Sequence, residues 1–239
     1  MIQLSVNVNK IATLRNARGG LEPSVRDFAQ KAIDAGAYGI TVHPRPDERH
    51  ITTQDVYDLV EVVQGVEYNL EGYPDERYRA LVREVKPAQA TLVPDPPGVL
   101  TSNAGWKASE HLDFLKDAVQ ELQSVGSRVS LFMETDLKTI DAARETGADR
   151  IELYTGPFAE AFARGEGITA FAPYSQAALH ATGLGFGLNA GHDLNLANLT
   201  LFRQLPGLAE VSIGHALTCD ALRIGWEPAV KAYLDALKV

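Results

Sequence analysis

The chain is poor in sulfur and in positive charge, and it contains no long apolar run. Its one cysteine, Cys219, excludes an internal disulfide and any cysteine-based zinc site, and it points to a reducing compartment. No apolar stretch approaches the ~20 residues of a membrane span. The opening MIQLSVNVNK has neither the basic nor the apolar segment of a signal peptide, so a cytoplasmic location without membrane contact is expected. Lys and Arg number 22 against 31 Asp and Glu, a net charge of −9. That balance opposes generic binding to nucleic acid or anionic lipid, yet leaves room for a local basic pocket. Neither G-x-x-x-x-G-K-[ST] nor H-E-x-x-H occurs, no G-x-G-x-x-G follows the first strand-like run, and Asp-rich metal spacing is missing.

What is present is ordinary globular composition, 45% hydrophobic and 22% charged over 239 residues, which excludes wholesale disorder. Short apolar or β-branched runs recur at 3–7, 38–43, 67–71, 89–93, 128–133, 150–154, 185–189 and 210–213. They lack clean alternation, as expected of parallel strands covered on both faces. Amphipathic stretches lie between them. In HLDFLKDAVQELQ the residues Leu112, Leu115, Val119 and Leu122 form one stripe; 24–35, 52–63, 75–85, 136–146, 172–182, 195–204 and 216–236 read similarly. Ser24, Thr52 and Asp136 are N-cap types, and Gly36, Gly126, Gly147 and Gly183 each precede a strand-like run as left-handed helix stops. About eight strand–helix units predict an α/β fold, a (β/α)₈ TIM barrel with extra loop or helix segments, spanning 1–239 as one domain. A doubly wound open sheet is the runner-up. The stretches 94–110 and 155–172 read as long loops, suited to lids or subunit contacts.

Reacting groups of such a barrel sit at the carboxyl ends of its strands. Strand one ends at Asn7, strand two at His43 with Arg45 and His50 behind it, and strand three at Glu71. Strand six carries Glu152, strand seven runs into Asn189 and His192, and strand eight into Gly214 and His215. Four of the six histidines fall on this rim; His111 and His180 lie in helical segments and are expected in solvent. Singly each residue is ordinary: Asn7 and Asn189 could bind backbone, and Arg49 reads as surface charge. Together they form the set that moves protons near neutral pH. SIGHALTCDAL places a glycine and a helix start after strand eight, where backbone N–H groups bind phosphate, and NAGHDLN forms the adjacent wall. TLRNARGG sets Arg15 and Arg18 beside paired glycines, either a phosphate grip or an ordinary basic turn. A metal on His43 or His192 with a carboxylate stays open, though the spacing does not demand one.

In NKIATLRNARGG, GITVHPRPDERHI, NLEGYP, TLVPDPPG, RIELYTG, LNAGHDLN and VSIGHAL the chain resembles the pyridoxine 5′-phosphate synthase family, over essentially its whole length. The resemblance implies a (β/α)₈ barrel assembled as a homo-octamer. It also implies condensation of 3-amino-2-oxopropyl phosphate with 1-deoxy-D-xylulose 5-phosphate, without a metal or organic cofactor. Carried over residue by residue, it implies that His43 and Glu71 accept protons, His192 donates one and Glu152 assists the transition state. Asn7, Arg18, Gly214 and His215 would hold the aminoketone phosphate, and Arg45, His50 and Thr101 the deoxyxylulose phosphate. The chain departs from the common pattern on the substrate-binding side. Asn9 and Lys10 stand where many members have an Asp-His pair that touches the sugar phosphate, and Asp193 stands where many have glycine. Two other readings remain: a metal-dependent sugar-phosphate epimerase or isomerase, and a barrel that binds a B6 vitamer without turnover.

Overall fold

The computed structural model describes residues 1–95 and 104–238. Eight strands pair in sequence order and close on themselves: β1 (Gln3–Asn7), β2 (Gly39–Val42), β3 (Glu67–Gly72), β4 (Gln89–Leu92), β5 (Arg128–Met133), β6 (Arg150–Tyr154), β7 (Gly187–His192) and β8 (Leu208–Ile213). All eight pairings are parallel, β8 returning to β1. The closed parallel sheet is the (β/α)₈ barrel expected from the sequence.

Side chains alternate along each strand, and here the sequence reading needs correction: the alternation is present. Leu4, Ile40, Leu70, Leu131, Ile151 and Val211 join the apolar core beneath the helices. The intervening residues turn into the barrel and are largely polar. Ser5 Oγ lies 2.6 Å from Thr41 Oγ1, Asn69 donates to Thr41 at 3.2 Å, and Thr91 donates to Asn69 Oδ1 at 2.9 Å. Asn189 on β7 donates to Gln89 on β4 at 3.3 Å, a bond that spans the interior. Both faces are buried, so the polar face is stable only because its groups bond one another.

The amino-terminal end is filled by charge. Arg128 bonds Glu67 at 2.5 Å and Arg150 bonds Glu210 at 3.0 Å, with Glu67 and Glu210 themselves buried and hydrogen-bonded as a carboxyl pair. Burial pushes Glu210 up to about 8, helped by the charge and hydrogen bond of Glu67 and opposed by Arg150 and Arg128. This layer shuts one end of the barrel and leaves the carboxyl end for a site.

The described helices are α1 (Asn9–Asn16), α2 (Val25–Asp34), α3 (Thr53–Val62), α4 (Glu76–Val85), α5 (Leu112–Ser124), α6 (Leu137–Arg144), α7 (Gly156–Ala163), α8 (Gly167–Gly183), α9 (Leu196–Phe202), α10 (His215–Ile224) and α11 (Trp226–Ala236). Ser24, Thr52 and Asp136 cap α2, α3 and α6 as expected, and Thr52 completes a capping box with Asp55. Gly36, Gly126 and Gly147 take the left-handed turns assigned to them, with φ of 107°, 95° and 81°. At Gly183 the helix continues, and Gly185 (φ 89°) makes the turn instead.

Segment 155–172 is helical rather than a long loop, since α7 and the start of α8 occupy it. Its aromatics serve the chain's own core. The Phe158 and Tyr174 rings lie 4.8 and 5.5 Å from that of Phe202, and Phe162 and Phe171 pack around them. Segment 216–236 divides into α10 and α11 at Gly225 (φ 91°). His111 is exposed as expected, whereas His180 Nε2 lies 2.6 Å from Asp141.

Glu210 holds its proton to about pH 8 in the fold, against an ordinary value of 4.5. The folded state therefore binds more protons than the unfolded one between those values, and stability falls as pH rises through that window. Glu210→Gln should flatten the fall, so that urea midpoints measured at about pH 5 and about pH 8.5 differ less than in the wild type. An undiminished difference would place the retained proton elsewhere.

Candidate active site

The carboxyl ends of the strands converge on a cavity of about 570 Å³. At its edge β1 ends in Asn7, whose Oδ1 accepts from the Asn9 N–H at 3.0 Å as the chain turns directly into α1. Asn9 Oδ1 in turn accepts from the backbone N–H of His43 at 3.0 Å, tying the exit of β1 to that of β2. A side chain at Gly214 would meet the Asn7 Cβ and carbonyl at 2.9 Å, so glycine lets the end of β8 close against β1. The same constraint acts at Gly191, where a Cβ would collide with the carboxylate of Glu152. Beyond β2, buried Arg45 pairs with Asp95 at 2.9 Å. Arg15 makes a bidentate pair with Asp55, and Asn16 donates to the His50 carbonyl at 2.8 Å, anchoring the turn that presents His50.

Among the titratable groups lining this cavity, His43, Glu71, Glu152 and His192 come from four different strands or strand ends. His43 Nδ1 lies 3.7 Å from Glu71 Oε2. Burial pushes Glu71 up to about 7; the charges of His192 and Arg45 and a hydrogen bond from Ser212 pull it back, while Asp95 pushes it further up. Burial raises Glu152 well above the carboxylate range, reinforced by Glu71 and Glu210. Burial holds His43 well below the usual imidazole value, with the charges of Arg45, His50 and Arg49 adding to it. His50 is lowered to about 4 by burial and then by Arg45, Lys10 and Arg49; its Nδ1 accepts from the Ile51 N–H at 2.9 Å, as a neutral ring can. Near pH 7 the site thus holds a Glu71 poised to exchange its proton, neutral His43 and His50, and a Glu152 whose burial favours its protonated form. The set can give and take protons on one bound molecule.

Lys10, Arg45 and Arg49 supply positive charge to the lining, and the amino terminus of α10 opens beside it at Gly214 and His215. Cationic side chains and a helix start together suit phosphorylated ligands.

Of the residues singled out from the sequence, Asn7, Asn9, Lys10, His43, Arg45, His50, Glu71, Glu152, His192, Asp193, Gly214 and His215 all line the cavity. Arg18 does not: it stands exposed in the turn after α1. Its neighbour Arg15 is committed to Asp55 rather than to a ligand. Thr101 and the rest of 96–103 in the 94–110 loop lie outside the described residues. Arg49, read as surface charge, lines the cavity while pairing with Asp47. Ser212, Thr13, Val93 and Phe132 were missed. For Ser212 a signal existed, because it sits two residues before Gly214 on the inward face of β8. Among the described residues no three His, Cys, Asp or Glu side chains gather in a way that could hold a metal ion.

Residues 4–239 match the family described as pyridoxal phosphate biosynthesis protein PdxJ. A pyridoxine 5′-phosphate synthase of Porphyromonas gingivalis is 54% identical over 238 residues, 99% of each chain. Another of that name from Bacteroides fragilis is 51% identical over the full length of both chains. Among solved structures, KGPDC from Streptococcus mutans superposes with a TM-score of 0.68 at 10% identity, covering 99% of this chain and 97% of its own. A phosphoribosylanthranilate isomerase from Thermotoga maritima reaches 0.59 at 12% identity, covering 99% and 98%. At such identities these two share the barrel alone.

A carboxyl group titrating at about 7 has a direct spectroscopic signature. The infrared carboxyl band lost in Glu71→Gln should titrate in the wild type near neutrality rather than at its ordinary value of 4.5. A midpoint at the ordinary value would remove Glu71 as the exchanging group.

Proposed function

This chain belongs to the pyridoxal phosphate biosynthesis protein PdxJ family, and from that membership we propose that it condenses 3-amino-2-oxopropyl phosphate with 1-deoxy-D-xylulose 5-phosphate to give pyridoxine 5′-phosphate, phosphate and water. The observation that carries this reading is the convergence of Glu71, His43, His192 and Glu152 on one cavity with a cationic rim. Joining an aminoketone to a ketose phosphate requires an imine, loss of phosphate, a new carbon–carbon bond and dehydration. Each step moves a proton, so groups of different basicity around one pocket suit it.

In this scheme Glu71 and neutral His43 accept protons, His192 returns one to the leaving oxygen, and protonated Glu152 donates a hydrogen bond where negative charge develops. The aminoketone phosphate sits at Gly214, His215 and the start of α10, with Asn7. Arg18 reaches it only if its exposed turn folds inward on binding. The sugar phosphate is held by Arg45 and Lys10 as charges, by His50 as a neutral hydrogen-bonding ring, and by Asn9 and Thr101. The scheme draws on no metal or organic cofactor. The proposed enzyme is a homo-octamer of single barrel domains in the cytoplasm, a reducing setting in keeping with its lone thiol, Cys219.

Incubation with both substrates, with and without EDTA, tests the reading. Pyridoxine 5′-phosphate detected by mass in both arms is expected. An epimerised sugar phosphate, or binding of a B6 vitamer without turnover, would replace it with one of the other two readings.

Glu71→Gln keeps shape and removes the titrating group, so kcat should fall by ~10²–10⁴ with an unchanged melting curve. Retention of more than about a tenth of kcat contradicts the role. Lys10→Ala should raise KM for deoxyxylulose phosphate by more than about fivefold and leave KM for the aminoketone unchanged, because a solvated lysine is worth less than ~1 kcal/mol. Equal effects on both substrates would place Lys10 at another contact.

A further inference from the structure

His192 closes β7 with φ of 100°, a left-handed conformation that L residues rarely adopt. The chain on either side of it is pinned. Thr155 directs both its backbone N–H and its hydroxyl to the Gly191 carbonyl, at 3.1 and 2.7 Å. The Asp193 N–H donates to Thr155 Oγ1 at 3.3 Å, and the Asp193 carbonyl accepts from Asn198 Nδ2 at 3.1 Å. The Tyr154 ring packs edge-on against the imidazole at 5.4 Å. The outcome of this local construction is that Asp193 Oδ2 lies 2.7 Å from His192 Nδ1.

Chemistry then fixes the proton. The hydrogen bond from His192 holds the Asp193 carboxyl below its ordinary range against the opposing effect of burial. An ionised carboxylate only accepts, so Nδ1 carries the hydrogen. That leaves Nε2 as the nitrogen whose proton exchanges.

We propose that Asp193 is a positioning residue for His192, holding the imidazole as its Nδ1–H tautomer and stabilising the imidazolium from which Nε2 donates. This rests on the role given to His192 above and deepens it: in this chain the proton donor is an aspartate–histidine pair, with Asp193 acting through the ring rather than on the substrate. Three further ionisable groups face the pair: Glu71 on β3 interacts with His192, and Tyr154 on β6 and His215 at the start of α10 interact with Asp193.

The test uses the full-length protein labelled with ¹⁵N-histidine, with the His192 signal identified by its loss in His192→Asn. In the wild type the neutral ring shows its hydrogen on Nδ1. In Asp193→Ala the tautomer shifts toward Nε2–H and the His192 titration moves to lower pH. The basic limb of the kcat profile moves down with it, because activity needs the protonated donor. At neutral pH kcat falls at least about 10- to 100-fold, the scale known for outer partners that orient metal-bound histidines, while both KM values change by less than about threefold. Asp193→Asn retains an acceptor without charge, so it should keep the tautomer yet show the lowered titration. An unchanged tautomer and titration in Asp193→Ala overturns the proposal. So does a raised KM for the aminoketone with the His192 titration unmoved, which makes Asp193 a substrate contact. Absence of synthase turnover in the wild type would overturn the proposed reaction instead, and the spectra would still decide the pair.

Discussion

A closed parallel barrel turns every second side chain into a narrow interior, and in this protein most of those side chains are polar. Water cannot solvate them there, so the molecule depends on their bonding one another from strand to strand and across the lumen. The arc through Ser5, Thr41, Asn69 and Thr91, the Asn189–Gln89 span and the Arg–Glu layer beneath them meet most of that requirement, while Ser130 Oγ and Gln89 Nε2 are buried without a partner. Carboxyl groups outnumber the arginines within it: Glu67, Glu210 and Glu152 lie below or beside Glu71, with Arg128 and Arg150 to balance them. Burial is the first cause that raises Glu152 and Glu71 at the mouth; at Glu152 the neighbouring Glu71 and Glu210 add to it, and at Glu71 Asp95 does.

The cavity inherits its precision from that frame. His192 ends β7, His43 directly follows β2, Glu71 is the penultimate residue of β3 and Glu152 lies within β6, so the four approach one another from four strands of the closed sheet. Loops contribute where charge must meet a ligand, and they are braced accordingly. The turn carrying His50 is held by Asn16 and by the Arg15–Asp55 pair, and the turn carrying Asp193 by Thr155 and Asn198.

Legibility in the sequence follows the same division. Strands β1, β5 and β6 could be read residue for residue, and the rim groups followed because a strand end is a local property. The inward polar face was overlooked because its rim positions on β4 and β5 are Val93 and Phe132, which break the alternation just where a reader looks for it. Helix α1 was overlooked because it buries only Ile11 and Ala12, too thin a stripe to stand out. Arg15 and Arg18 have near-identical local surroundings. Which of them is taken by Asp55, forty positions away, is a tertiary fact. The same holds for Arg49, whereas Ser212 beside Glu71 could have been found from its place two residues before Gly214. Aromatic density in 155–172 signalled burial correctly, but not which surface would be buried.

The filled amino-terminal end makes the barrel a vessel with one opening. Whatever is admitted at the rim must leave by it, since Arg128, Arg150, Glu67 and Glu210 occupy the other end. For the proposed reaction that geometry is asymmetric in time. Two small molecules arrive separately, yet the aromatic ring assembled from them is bulkier than either. The aperture the protein must open is therefore set by export rather than by import.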